Sequence, residues 1–431
     1  MIKKNSFSNN VVLITESMPY SKTVSVGFYF LGAGSRYETS GNRGASHFCE
    51  HMLFKGTKDL STHDIALVFD RMGGCVNAFT ERDNVCAYCT VPALNDNLSR
   101  AVKIFCAMAS ECVFPADELE RERTVIQNEI SSAEDDAEES AMDAAASLMW
   151  PGQSLGMTIT GSVRDVENLS RGTLTGWYND KFVRGELAVV VCGALSDADE
   201  AMLMEALSSL PERAAPVPYP HAMRSATRAE WKPAERFMTD RRFSQCQIYT
   251  LYPFRVPVSH DELSALCVLN AVAGDTMSSR LFENIREKNG ACYSTYCFSS
   301  CYEDTAFWGA AAVCDRKNVV KIARLLQDEV SGLLTNPPTD QEILNAREHI
   351  LGEEHIAGGD SEALMKRNAR HYAMGLPLIG SDQVCDSIRA VQKNAIMDFI
   401  ESMIVNEKRV FFIYGADVSH KQRKEILCRT R

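Results

Sequence analysis

The strongest constraint on the fold of this chain is a repeat: two landmarks recur at one offset of 222 residues. Thr23–Phe30 reads as a strand, and so does Gln245–Tyr252, with Val26 and Ile248 standing 222 apart. Near the end of each half an apolar run, Leu187–Val191 and Val410–Tyr414, leads into Gly-Ala at Gly193 and Gly415, again 222 apart. Self-similarity at a fixed period marks a duplicated unit. Between the copies, Leu210–Pro220 carries four prolines in eleven residues. Such a stretch continues neither a helix nor a central strand, so it reads as a linker. The expected organisation is therefore a domain at 1–210, a linker at 211–228 and a second domain at 229–431, each of ordinary domain size.

Between the landmarks, helical patterns span 44–55, 62–72, 93–110, 117–148, 163–182 and 197–209 in the first half. In the second they span 260–273, 278–288, 316–334, 339–375 and 383–403. Long helices mixed irregularly with strands indicate an α+β class. The formal net charge of −12 argues against a nucleic-acid partner, which needs a basic footprint. No segment approaches the roughly 18 to 20 apolar residues of a membrane span, and the first ten residues turn polar after two lysines. A soluble, cytoplasmic protein with no membrane partner is the expectation. The 15 cysteines lack framework spacing, and Cys86 and Cys89 sit three apart on a strand, hence on opposite faces. They read as reduced, buried side chains.

The chemistry concentrates in His47-Phe48-Cys49-Glu50-His51. Two histidines four apart on a helix share a face one turn apart and can bind one zinc ion. Glu50 falls beside that metal, where a carboxylate can take a proton from a bound water. Ser46 or Asn42 is a candidate helix cap, and Lys55-Gly56 ends the helix. Catalytic zinc usually has three protein ligands, so a third is owed.

The surroundings resemble the M16 metallopeptidases. Gly44–Thr57 (Gly-Ala-Ser-His-Phe-Cys-Glu-His-Met-Leu-Phe-Lys-Gly-Thr) is similar to the family's metal motif. Met72–Thr80 is similar to its edge strand, and Glu120–Ile130 to the segment that supplies the third ligand. The resemblance implies two domains, each a mostly antiparallel sheet packed with helices, closing as a clamshell. It implies His47, His51 and Glu129 as ligands of one Zn²⁺ per chain, Glu50 as general base and Glu122 as a supporting carboxylate. On the edge strand, Asn77, Ala78 and Phe79 would bind an extended peptide by strand addition. In the second half, where no histidine occurs from Asp261 to Gly290, Ser278–Ser294 matches a stretch that reaches the active site. There Arg286 would bind a substrate carbonyl and Tyr293 would stabilise the oxyanion. The implied activity is cleavage of short or unfolded peptides, with a homodimer or a heterodimer of related chains as the expected assembly. The alternative is a non-catalytic or partner-dependent subunit of a heterodimeric peptidase.

Overall fold

The computed structural model describes residues 2–217, 222–225 and 227–428, so the linker expected at 211–228 falls partly outside the described residues. The chain forms two compact units. The strands are β1 (Ile2–Ser6), β2 (Val12–Ser17), β3 (Thr23–Leu31), β4 (Cys75–Thr80), β5 (Asn84–Pro92) and β6 (Glu186–Gly193) in one sheet. The second sheet holds β7 (Ala234–Met238), β8 (Gln245–Phe254), β9 (Ser294–Cys301), β10 (Ala306–Asp315) and β11 (Val410–Tyr414). Their orders are β1-β2-β6-β3-β5-β4 and β7-β11-β8-β10-β9. Beyond the extra edge strand β1, the two orders match strand for strand. In both, one pair is parallel (β2 with β6, β7 with β11) and the rest are antiparallel.

The repeated glycines explain part of this match. Gly193 and Gly415 both take positive φ, +137° and +92°. A Cβ on Gly193 would lie 2.4 Å from the carbonyl oxygen of Thr23, and one on Gly415 would lie 2.9 Å from that of Gln245. Thr23 and Gln245 are themselves 222 apart, so the same backbone approach is built twice and only glycine fits it.

The helices are α1 (Ala45–Leu53), α2 (Thr62–Met72), α3 (Asn97–Ser110), α4 (Ala116–Asp135), α5 (Ala137–Met149), α6 (Val163–Asn168), α7 (Arg171–Trp177) and α8 (Asp197–Ser208). They continue as α9 (His260–Asn270), α10 (Val319–Thr335), α11 (Asp340–Ala357), α12 (Ser361–Ala373), α13 (Ser381–Ala390), α14 (Lys393–Met403) and α15 (His420–Leu427). Of the helices that the sequence reads as continuous, 163–182 is broken between Asn168 and Arg171, and 117–148 and 339–375 are each broken by a new cap. Asp136 adopts an extended conformation and its carboxylate accepts the amides of Glu138 (2.8 Å) and Glu139 (2.9 Å), so it caps a new helix. After Gly358-Gly359, Asp360 does the same for Glu362. The acidic run 134–139 is thus a helix boundary as well as a solvated face.

The breaks at Asp136 and Asp360 let the units exchange segments. One unit gathers the described residues of Met1–Ser132, Met157–Thr227 and His355–Gly380; the other gathers Ala133–Gly156, Arg228–Glu354 and Ser381–Arg431. The physical need is visible in the central strands, since β3 is buried along nearly its whole length and its sheet must be covered on both faces. On one face Phe28 and Phe30 pack with Phe48, Phe105 and Phe182. On the other, Tyr29 and Val190 pack against Leu364, Met365 and Ala369 of α12. In the second unit α5 plays that part, with Ala145, Met149 and Trp150 against Tyr249, Phe307 and Phe412. Cys86 and Cys89 indeed lie on opposite faces of the first sheet, and all 15 cysteines are free.

Candidate metal centre

Helix α1 begins at Gly44, whose φ of +82° turns the chain sharply into the helix. Neither Ser46 nor Asn42 caps it. The buried carboxylate of Glu38 instead accepts the amides of Gly44 (2.8 Å) and Ser46 (2.7 Å), filling two of the donors that a helix start leaves open. Burial pushes the Glu38 carboxyl up to about 7, against the opposing pull of these amide bonds. Ala45, Phe48, Cys49 and Met52 turn into the core, which leaves His47, Glu50 and His51 half-buried on the other stripe. The two imidazole centroids are 4.7 Å apart.

Helix α4 delivers the carboxylates. It is held near α1 by Arg123, whose guanidinium lies 5.4 Å over the Phe48 ring and donates to the carbonyl of Leu169 at 2.9 Å. Glu120 is exposed and paired with Arg123. Glu122 and Glu129, seven residues apart and on one helix face, both point toward the imidazoles. The Glu129 Oε2 atom stands 3.4 Å from His51 Nε2 and 3.8 Å from His47 Nε2. A direct charge-assisted hydrogen bond would be about 2.7–2.9 Å. Ligands about 2.0–2.1 Å from a tetrahedral zinc stand about 3.4 Å from one another. The observed spacing therefore suits a shared ion better than direct contact. His47, His51 and Glu129 are the one such group among the described residues, with their ligand atoms within 4.8 Å of one another.

The two histidines differ in support. His51 Nδ1 lies 2.9 Å from Glu122 Oε2, so Nε2 is the ring atom that could face an ion. His47 Nδ1 is buried without a protein partner, and burial, reinforced by His51, lowers the His47 pKa to about 4. This favours the neutral imidazole, the form that can bind a metal ion. Burial opposes ionisation of Glu122, but hydrogen bonds from Lys55 and His51 outweigh it and hold the carboxyl below its usual range.

Glu50 accepts a 2.8 Å hydrogen bond from Thr80 Oγ1 at its Oε2 atom. Burial raises its pKa, which this bond only partly offsets. Thr80 ends β4, an edge strand paired only with β5 among the described residues. Along β4, Val76 and Ala78 pack toward the helical core that includes α1, whereas Phe79 packs with Tyr29 and Tyr88 on the other face. Asn77 is exposed. Thr80, Glu38 and Lys55 contribute to the site without any local sequence pattern that marks them. Thr80 was visible only as the residue after Phe79, since nothing local announces its bond to Glu50.

Arg286 and Tyr293 belong to the other unit. Both are exposed; Arg286 lies 4.7 Å over the Phe282 ring in a wide-turned helical segment, Phe282–Glu287, and Tyr293 precedes β9. Their seven-residue spacing is not a helical one.

Comparison with known proteins supplies the family. Residues 12–163 match the family described as Insulinase (Peptidase family M16), and residues 168–350 match the Peptidase M16 inactive domain. A Bacillus subtilis protein called an uncharacterized zinc protease is 29% identical over 389 residues, covering 90% of this chain and 91% of its own. A Streptomyces coelicolor protein of the same description is 28% identical over 370 residues, covering 85% and 79%. Among solved structures, a peptidase M16 inactive domain from Pseudomonas fluorescens superposes with a TM-score of 0.86 at 16% identity, covering 97% of this chain and 99% of its own. A protease from Helicobacter pylori gives 0.83, also at 16% identity, covering 96% and 99%. These two likenesses speak to the fold, and the two sequence matches, which together run from 12 to 350, speak to descent: the chain belongs to peptidase family M16.

Proposed function

We propose that this chain is a zinc-dependent endopeptidase that hydrolyses short or unfolded peptides, with one ion per chain held by His47, His51 and Glu129. The observation that carries this reading is the convergence of those three side chains within 4.8 Å, with spacings near those of a shared ion. The zinc-protease names of the relatives support it. Zinc bound there would polarise a substrate carbonyl and make a bound water acidic near neutral pH. Glu50 is the general base. Thr80 occupies its Oε2, so Oε1 is the atom that takes the proton from water and returns it to the leaving amine. Asn77 to Phe79 hold the peptide as an added strand along β4, where backbone bonds give affinity without a strict sequence requirement. Arg286 binds a substrate carbonyl and Tyr293 the oxyanion.

The test is Glu50→Gln on the full chain, assayed with a peptide library and by metal analysis. The variant should keep its zinc and lose turnover. Cleavage at the parent rate would remove Glu50 from the reaction, and a parent protein that takes up no zinc would remove the metal.

A further inference from the structure

We infer that Lys55 is a positioning residue of the metal centre, acting through Glu122 to fix the imidazole of His51. This rests on the zinc-site reading above. Lys55 follows the end of α1, four residues after His51, and its Nζ lies 2.7 Å from Glu122 Oε1. The other carboxylate oxygen, Oε2, lies 2.9 Å from His51 Nδ1. Glu122 is thus held at both oxygens, once by a charge and once by the ring it orients. Its side chain is only 7% exposed, and that of Lys55 is 23% exposed.

The geometry gives each member one role. With a lysine on Oε1, the carboxylate plane cannot swing, and Oε2 stays on Nδ1. The Nδ1–H of His51 then donates to Oε2, and the lone pair of Nε2 faces Glu129 Oε2, 3.4 Å away. Without Lys55, Glu122 would be a buried anion with one partner, free to rotate toward whatever donor it found. The sequence places this cation with economy: the turn that ends the helix carries both the second histidine and the charge that steadies its support. His47 has no equivalent, since its Nδ1 meets no protein partner. The consequence is that orientation of the ligand set depends on the His51 side, and on Lys55 in particular.

The experiment measures Zn²⁺ affinity of the full-length protein by competition with a chromophoric chelator, without any activity assay. Lys55→Met should weaken zinc binding by about 10-fold or more, the scale on which partners of metal ligands act. Lys55→Arg, which keeps the charge and the donors, should stay within about 3-fold of the parent on the same scale. Lys55→Gln, a milder change should the methionine variant fold poorly, should fall between them. Each metal-free variant is checked by circular dichroism and thermal melting, so that affinity is compared between folded proteins. Unchanged affinity in both Lys55→Met and Lys55→Gln overturns the inference while leaving the zinc site intact. Loss in Lys55→Arg equal to that in Lys55→Met overturns it also, because charge would then not be the cause. No zinc uptake by the parent overturns the underlying site reading instead.

Discussion

The same sheet order carries two different loads in the two units, and the difference lies in a few side chains. In the first unit, α1 follows the central strand and presents His47, Glu50 and His51 on its half-buried stripe. In the second, α9 follows the corresponding strand, and Ser264, Ala265, Leu266, Val268 and Leu269 are all buried there. The long helices α4 and α11 correspond at an offset of 224, which pairs Leu119 with Ile343, Arg123 with Arg347 and Asp136 with Asp360. At that offset the buried Glu122 faces its counterpart in the buried Ala346, and Glu129 in Glu353. With no imidazole pair to meet, Glu353 sits 3.3 Å from His349 on its own helix. The edges correspond: neither β4 nor β9 pairs with a further strand among the described residues. Topology was kept through duplication, whereas the site was grafted onto one copy or erased from the other.

The comparison breaks most completely if unit 1 is made to look like unit 2. His51→Leu puts on α1 the kind of side chain that α9 carries. It should abolish zinc retention and lower peptide turnover by about a thousand-fold or more, as loss of catalytic groups does. Metal analysis beside a peptide assay reads both. Retained zinc with near-parental turnover would mean that the metal-helix assignment is wrong.

Glu122→Ala copies the residue that unit 2 has at Ala346, and its effect should be next in size. Removing the partner of His51 Nδ1 should cost about 10- to 100-fold in zinc affinity. Turnover at saturating zinc should recover toward the parent. An affinity unchanged by this substitution would mean that the 2.9 Å bond does not orient the ligand.

Thr80→Val tests the contact between edge strand and metal helix. The 2.8 Å bond to Glu50 is lost while volume is kept. We expect kcat to fall about 10-fold, a part of the roughly 10²- to 10⁴-fold that general-base catalysis contributes, with KM nearly unchanged. Thr80→Ser should restore most of it, because the hydroxyl returns. A fall in Thr80→Ser as deep as in Thr80→Val would point to packing rather than to the hydroxyl.

How far the sequence reached follows from where each signal is written. The histidine pair and Glu50 lie within five residues, so helix periodicity alone places them on one face. Gly193 and Gly415 repeat because a backbone contact repeats, and this made the duplication legible. Glu122 and Glu129 were legible through family resemblance and their shared helix face. The exchanged helices were not, because Glu134 to Glu139 carries helix-compatible acids and only the capping geometry of Asp136 reveals the break. Glu38, Lys55 and Thr80 act across tertiary contacts of 6 to 67 residues in sequence, and no local pattern records them.

The smallest expected effect concerns the metal-free protein and the unequal support of the two histidines. Burial lowers the His47 pKa to about 4, whereas the unfolded chain would titrate near its ordinary value of about 6.5. Between these values the unfolded state binds a proton that the native state does not. Stability therefore rises with pH across this window, and the His47 share is present above the unfolded value and lost as pH falls toward 4. From pH 7 to pH 5.5 that share amounts to about 1 kcal/mol. His47→Gln should flatten the slope by this amount in urea unfolding of the chelator-treated protein. His349→Gln, at an exposed site in the other unit, is the control. If His47→Gln and the parent lose stability in parallel over this range, His47 is not a neutral imidazole held in a buried position, and the asymmetry between the two ligands loses its electrostatic basis.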